Sequence, residues 1–427
     1  MNIAFAFCCC FHLQFSIDYL LLPIFAAQNL QMSLYSQRGV SAQKEDVHHA
    51  TKILDKGLYP NAFCKLYPDL LGGDGEWINT MHADGAGTKS ILAYLYWKET
   101  GDITVWQGIA QDAIVMNLDD LLCTGITNNL LFSSTIDRNK RLIPADVLTT
   151  IIESTQHFFD LLRSYGVHIH YLGGETADVG DVVRTIAVNG TMAARWPKNK
   201  LITNDKIAAG DVIVGFASSG TCTYDPVYNS GIGSNGLTSA RHDALSKTYA
   251  KQFPESYDTG LSEQVTYIGP HKLTDLIGIP ETGQSVQTGK LLLSPTRTYA
   301  PVLRDILAEH FNDINGIIHC TGGGQTKCLK YLPRPLRIVK DDLFDAPVIF
   351  KLLQEASGSD NREMYQVFNM GHRLEVFTSE KAAIQMIKIA DNYGIGAKVV
   401  GRVEPGDRKE LLLKVGGEEI LFEGHAN

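Results

Sequence analysis

The chain has 427 residues, with 38 Lys and Arg against 47 Asp and Glu for a formal charge of −9, and it is 44% hydrophobic and 20% charged. At roughly 100 to 200 residues per domain this length predicts two or three domains and excludes a single small module, while the apolar content excludes a disordered chain. The acidic balance argues against nucleic-acid or membrane partners, both of which need a basic face. The cysteines Cys8, Cys9, Cys10, Cys64, Cys123, Cys222, Cys320 and Cys328 form no C-x-x-C pair, so neither a zinc site nor a disulfide framework is indicated and a reducing cytoplasm is expected.

The first 31 residues differ from the rest. The stretch 3–27 is apolar and aromatic, yet no Lys or Arg precedes Arg38, so the basic region of a secretory signal is missing. Asp18 and Pro23 interrupt the run, and no positive flank would orient a spanning helix. Two readings stay open: initiation at Met32, and a targeting or anchoring segment.

Further along, a strand over 77–83 runs into Asp84-Gly85-Ala86-Gly87-Thr88-Lys89, followed by a helix over 91–98. Helices are predicted over 107–123, ended by Gly125, and over 144–165, opened by Pro144 and closed by Gly166. A short strand over 167–172 ends at Gly173-Gly174, and another covers 185–194. The polar stretch 195–206 marks the boundary between two domains, 33–200 and 201–427. The second half opens with a strand over 211–217 and a Gly, Ser and Asn-rich loop over 221–236. A loop leads into a helix over 295–311, a strand over 314–320 ends at Thr321-Gly322-Gly323-Gly324, and a helix covers 380–393. An apolar strand feeding a Gly, Ser or Thr-rich loop thus occurs in both halves. Clustered backbone amides in such loops let a net-acidic protein hold phosphate.

The segment 84–89 offers a carboxylate, permissive backbone, a hydroxyl and a cation, and its spacing fits neither a Walker A loop nor G-x-G-x-x-G. It reads either as a Mg²⁺ and phosphate site or as a turn in which Asp84 caps a helix and Lys89 is solvated. Asp112 and Asp119 share a helix face about 10 Å apart along the axis, too far for one Mg²⁺ with ligands near ~2.1 Å. They read as serving separate ions or separate parts of a long anion such as a triphosphate, or as surface carboxylates, with at least one of Asp112, Asp119 and Asp120 expected at the surface. Glu175 and Asp178 follow the Gly173-Gly174 turn, and with Asp84 and Asp112 they make a candidate set of hard oxygen ligands for Mg-nucleotide. Gly231 to Gly236, including Ser234 and Asn235, and Thr321 to Gly324 are phosphate-loop candidates. His319 reads as a structural residue or a catalyst, and Arg297 as a phosphate ligand or a structural residue.

In order, these segments, together with Ser218-Ser219-Gly220, Pro295-Thr296-Arg297-Thr298-Tyr299, Met364-Tyr365 and Phe368-Asn369, resemble the phosphoribosylformylglycinamidine cyclo-ligase (aminoimidazole ribonucleotide synthetase) family from about Ser33 onward. The resemblance implies an α/β (α+β) two-domain synthetase-like fold, a homodimer built through the N-terminal sheets, and a cytoplasmic enzyme of purine biosynthesis. It implies ATP-dependent phosphorylation of the amide oxygen of formylglycinamidine ribonucleotide, then ring closure with loss of phosphate. By position, Asp84, Lys89, Asp112 and His319 would be catalytic, and Asp84, Asp112 and Glu175 would hold Mg²⁺. Gly85, Gly87, Thr88, Gly173, Gly174, Ser234, Asn235, Gly236, Thr321, Gly322, Gly323 and Gly324 would line the nucleotide or substrate phosphates. Departures from the family pattern at Asp119, Asp178, Gly233 and 325–331, with extra residues at 221–230 and 255–290, mark a divergent branch. They leave open another ATP-dependent phosphotransferase of the superfamily, or a non-catalytic nucleotide-binding paralogue.

Overall fold

The computed structural model describes residues 34–40, 50–51 and 53–424. The two readings of the N-terminal stretch, and Cys8, Cys9 and Cys10, lie outside the described residues. The first half is built on a five-stranded sheet in the order β1-β2-β5-β3-β4. Its strands are β1 (Tyr67–Pro68), β2 (Trp77–Gly85), β3 (Leu130–Arg138), β4 (Ile169–Asp178) and β5 (Ile186–Pro197). Pairing is antiparallel except between β3 and β4.

After a short α1 (Leu34–Gln37), the helices of this half are α2 (Lys89–Thr100), α3 (Val105–Leu122) and α4 (Ala145–Ser164). In α4 the buried Val147, Ile151, Thr155, Phe158, Phe159 and Leu162 recur every three or four residues and form one inward stripe. α3 is different: apart from Gln107 and Gln111 every residue is buried. A helix enclosed all round sits inside the molecule, and α3 packs on β2, β5, α2 and α4 and also on a helix of the second half.

The second half carries a seven-stranded sheet in the order β11-β13-β6-β14-β12-β15-β16. Its members are β6 (Val212–Ala217), β11 (Ile314–His319), β12 (Leu336–Lys340), β13 (His372–Thr378), β14 (Ala397–Pro405), β15 (Glu410–Val415) and β16 (Glu418–Glu423). β7 (Gly220–Cys222) with β8 (Asp225–Asn229), and β9 (Leu276–Ile279) with β10 (Gln284–Gln287), make small hairpins. The helices are α5 (Leu237–Ala244), α6 (Thr248–Gln252), α7 (Thr288–Leu292), α8 (Ala300–His310), α9 (Val348–Ser357), α10 (Asn361–Val367) and α11 (Glu380–Asn392). Ser379 caps α11 through the Ala382 N–H and Asp360 caps α10 through the Glu363 N–H, each satisfying a donor the helix leaves over. α8 of this half is the helix that meets α3.

Two expectations change. The strand predicted to stop at Leu172 continues through Gly173-Gly174 to Asp178. The register shifts between Phe132 and Ser134, and a Cβ at Gly174 would lie 1.9 Å from the Ser134 carbonyl oxygen, so the glycine permits a close strand contact rather than a turn. The loop expected over 221–236 contains the β7–β8 hairpin.

Candidate functional site

The two halves meet along α3, and the seam is polar. Asp84, next to last in β2, is an exposed carboxylate whose Oδ1 accepts the Gly85 N–H at 2.7 Å. Gly85 lets β2 pass close to β5, since a Cβ there would meet Asn189 Oδ1 at 2.1 Å. Gly87 has φ +57°, a conformation glycine adopts without strain, and it turns the chain into α2. Thr88 Oγ1 lies 2.6 Å from Thr238 Oγ1 on α5, which brings the 84–89 turn against the segment that follows Ser234-Asn235-Gly236.

Lys89 is not solvated. It is wholly buried, and its Nζ donates to Asp112 Oδ1 at 3.0 Å and to the Ser294 carbonyl at 2.5 Å. Asp112 Oδ1 also accepts from the Thr296 N–H at 2.7 Å and from Thr296 Oγ1 at 2.6 Å, and Thr296 Oγ1 reaches Ser234 Oγ at 3.1 Å. Asp112 Oδ2 is buried with no hydrogen-bond partner. Burial lowers the Lys89 pKa, with Arg373 adding to the fall and Asp112 opposing it.

Two turns on, Asp119 accepts from Thr298 Oγ1 at 2.5 Å and the Tyr299 N–H at 3.3 Å. Burial pushes its pKa up to about 7, against Arg373 and these hydrogen bonds. Asp120 meets His319 Nδ1 at 2.7 Å and His82 Nε2 at 3.2 Å. Burial would raise Asp120, but the two histidines more than offset it and hold it low. None of the three carboxylates of α3 lies at the surface, which corrects that expectation: α3 is enclosed between the halves, and each carboxylate is hydrogen-bonded there.

His319 is fully buried, with Nδ1 on Asp120 and Nε2 accepting from Arg373 Nε at 3.2 Å. A ring that accepts at Nε2 is neutral and carries its proton on Nδ1, in line with a pKa lowered by burial. His82, half-buried, places Nδ1 at 3.0 Å from Asn117 Oδ1 and Nε2 on Asp120. Two acceptors favour the imidazolium: burial lowers the His82 pKa, and the bonds to Asp120 and Asn117 raise it overall. Arg297 is consumed by the protein, donating to Asp225 Oδ2 at 3.1 Å and to the Ser219 and Gly220 carbonyls.

The expected ligand trio Asp84, Asp112 and Glu175 does not come together within the chain. Asp84 pairs with Gly190, Gly190 with Ser134 and Ser134 with Gly174, so Glu175 stands three strand spacings away, about 14 Å. Gly173, Gly174 and Glu175 lie exposed on the edge strand β4, and Asp178 pairs with Arg138 at 2.7 Å. Among the described residues the one group of three possible metal ligands is Cys320, His372 and Glu375, all buried. The Lys340 ammonium lies 2.5 Å from Glu375 Oε1 there, so a cation already fills that place.

The second-half loops face the same seam. Ser234, Asn235 and Gly236 are half-buried at the start of α5. Thr321, Gly322, Gly323 and Gly324 follow His319, with the Gly324 N–H on the Thr321 carbonyl at 2.8 Å and Lys327 Nζ 3.4 Å from Thr321 Oγ1. Sequence reasoning missed His82, Asn117, Thr296, Thr298 and Arg373 as members of the network. His82 sits two residues before Asp84 and so shares its strand face, a signal that could have found it. Thr296 and Thr298 flank the noted Arg297 in the same alternation. Arg373 gave no signal.

Two family models match the chain: "AIR synthase related protein, N-terminal domain" over residues 70–196 and "AIR synthase related protein, C-terminal domain" over 208–414. The chain is similar to the phosphoribosylformylglycinamidine cyclo-ligase of Methanocaldococcus jannaschii, 28% identical over 348 residues that cover 81% of this chain and 82% of that one. It is also similar to that of Methanosarcina mazei, 27% identical over 384 residues covering 89% and 91%. Among solved structures, the HypE–HypF complex aligns at a TM-score of 0.51 and 16% identity over 90% of this chain and 100% of that one. AaThiL complexed with AMPPCP and TMP aligns at 0.50 and 11% identity over 88% and 93%. These two likenesses are of fold, the two-domain α/β architecture expected above. With both models matched in order across most of its length, the chain belongs to the AIR synthase related family.

Proposed function

We propose that the protein is an ATP-dependent cyclo-ligase that converts formylglycinamidine ribonucleotide to aminoimidazole ribonucleotide in purine biosynthesis. The observation that carries this reading is the seam itself: the Asp84 to Lys89 turn of one half meets, through Thr88 and Thr238, the start of α5 that directly follows the Gly231–Gly236 segment of the other. Both reactants are anionic, and the seam supplies loop amides, Lys89 and a carboxylate for a divalent ion. An amide oxygen is a poor leaving group; phosphorylation makes it phosphate, and attack by the internal nitrogen then closes the imidazole ring. The protein's share is positioning and charge neutralisation.

For Mg²⁺, Asp84 fits as an exposed hard-oxygen donor beside the glycine amides, and the partnerless Asp112 Oδ2 fits as a second. Glu175 is too distant to share an ion with Asp84 in one chain. When bound with the nucleotide, the ion neutralises phosphate charge. Lys89, released from its shared oxygen on Asp112, would meet the transferring phosphoryl group. His319, neutral and held at both nitrogens, orients Asp120 and the start of the 321–324 loop.

A homodimer through the first sheet is part of this reading. One face is covered by α3 and α4, while Met81, Leu131 and Leu172 are 71%, 41% and 61% exposed on the other. Met81 and Leu131 both pair with Ala193, so they stand in one row. The domain division 33–200 and 201–427 is supported by the two separate sheets and by the limits of the two family models. No helix among the described residues is long and apolar enough to cross a membrane, and the five described cysteines are free and buried; a cytoplasmic site agrees with both.

Purified protein given formylglycinamidine ribonucleotide, Mg²⁺ and ATP should form ADP and aminoimidazole ribonucleotide, and chelation of Mg²⁺ should abolish the reaction. ADP release without that substrate, or a phosphorylated metabolite as final product, would reject the cyclo-ligase in favour of another phosphotransferase. Binding of nucleotide without turnover would favour the non-catalytic paralogue.

A further inference from the structure

The segment Met364-Tyr365 to Phe368-Asn369 has no part in the chemistry above, yet the fold sets it between the two glycine loops of the second half. A Cβ at Gly324 would meet the Tyr365 and Phe368 carbonyl oxygens at 2.5 Å, and one at Gly236 would meet the Phe368 ring at 2.5 Å. Asn369 is buried and bonded to both sides. Its Nδ2 donates to the Gly231 carbonyl at 2.8 Å, and its Oδ1 accepts from Ser218 Oγ at 2.8 Å and the Gly371 N–H at 3.0 Å.

The Asn369 carbonyl in turn accepts from Gln325 Nε2 at 2.6 Å, and Gln325 directly follows the triple glycine. Gln325 Nε2 also donates to the His372 carbonyl at 3.1 Å. Behind it stands Lys340, at the end of β12 and wholly buried. Its ammonium donates to the Gln325 carbonyl and to Gln325 Oε1, each at 2.9 Å, and to Glu375 Oε1 at 2.5 Å. All three N–H groups are thereby used. The nearby Cys320, His372 and Glu375 therefore gain nothing from a metal ion, since Lys340 already supplies the positive charge.

A buried ammonium placed to satisfy both oxygens of one glutamine fixes that residue's backbone and side chain together. Glycine loops have the most freedom to lose, and amides aimed at an anion help most when held in place before it arrives. We propose that Lys340, anchored by Glu375, is a positioning residue that acts through Gln325 and Asn369 to hold the 231–236 and 321–324 loops in one fixed relation for an anionic ligand. This rests on the reading of those loops as phosphate-binding.

Lys340→Met alone would strand Glu375 as an unpaired buried carboxylate, so the test uses the neutral pair Lys340→Met with Glu375→Gln and, separately, Gln325→Met, each in the full chain. Hydrogen exchange is followed for peptides covering 231–236, 321–327 and, as a control, 145–164. KM and kcat are measured for both substrates, and affinity for Mg-AMPPCP is measured by calorimetry. Exchange in both loops should rise about tenfold, with a similar rise in KM or ligand Kd, a smaller change in kcat and an unchanged control. Unchanged exchange at 231–236, unchanged affinity and KM, or equal loosening of 145–164 would each overturn the proposal. Exchange and affinity do not need turnover, so a wild-type protein that fails to make aminoimidazole ribonucleotide would reject the proposed function while these readouts still decide the positioning role.

Discussion

Lys89 and Lys340 are both wholly buried and both face a carboxylate, at 3.0 and 2.5 Å, yet the surroundings move them in opposite directions. Burial lowers the Lys89 pKa and Arg373 adds to the fall; burial also pulls on Lys340, but the Glu375 carboxylate beside it more than offsets this. Their acceptors differ as well. Lys340 has three acceptor atoms on two residues. Lys89 has two, the Ser294 carbonyl and Asp112 Oδ1, and it shares Asp112 Oδ1 with the Thr296 N–H and hydroxyl, while Asp112 Oδ2 has no partner. In the function proposed above, Lys89 would exchange its shared oxygen for a phosphate, whereas Lys340 would hold its neighbours still.

The sharpest way to break this contrast is the neutral pair Lys89→Met with Asp112→Asn. It should keep the fold but lower kcat by roughly 10²–10³, the scale of losing one preorganised charge in a transition state. Turnover within about threefold of wild type, measured by coupled ADP release, would mean that the seam pair is structural. Asp84→Asn should cost a similar factor of about 10² or more and raise the Mg²⁺ concentration needed for half-maximal rate; an unchanged Mg²⁺ titration would remove Asp84 from the metal site.

Next in size is a pH effect on stability. With a pKa near 7 in the fold and about 3.9 unfolded, Asp119 favours folding below about pH 4, and this contribution is lost as pH rises through about 7. His82, raised in the fold, acts in the same sense above its unfolded value. Asp120, held low, acts oppositely and loses its contribution on acidification. Asp119→Asn should therefore flatten the fall in Tm between pH 4 and 7, and an unaltered slope in calorimetric scans would assign the dependence elsewhere. The smallest expected effect is Met81→Lys on the open sheet face, which should weaken self-association by about 1–3 kcal/mol; sedimentation showing an unchanged dimer, or no dimer in the wild type, would discard that face as an interface.

What could be read from the sequence was what is local. The stripe of α4, the strand leading to Asp84 and the glycine loops each show within a short window, because burial periodicity and turn chemistry act over a few residues. The seam is not local: Asp112 meets Thr296 across 184 positions and Asp120 meets His319 across 199. A helix with Asp112, Asp119 and Asp120 looks half-exposed until its enclosing partner is known, which is why the sequence places at least one of those carboxylates at the surface. Gly173-Gly174 looked like a turn because glycine marks both turns and close strand contacts, and only the neighbour, Ser134, tells them apart.

Enclosure of α3 has a consequence for how the molecule comes apart. Its side chains complete the packing of the first sheet while its carboxylates take their hydrogen bonds from Thr296, Thr298 and His319 of the other half. Neither half keeps a satisfied interior once the other leaves, so heat or denaturant should melt the chain in one cooperative transition rather than two. A protease that nicks the 198–206 connection should likewise leave two fragments that stay associated and co-elute until a denaturant is added.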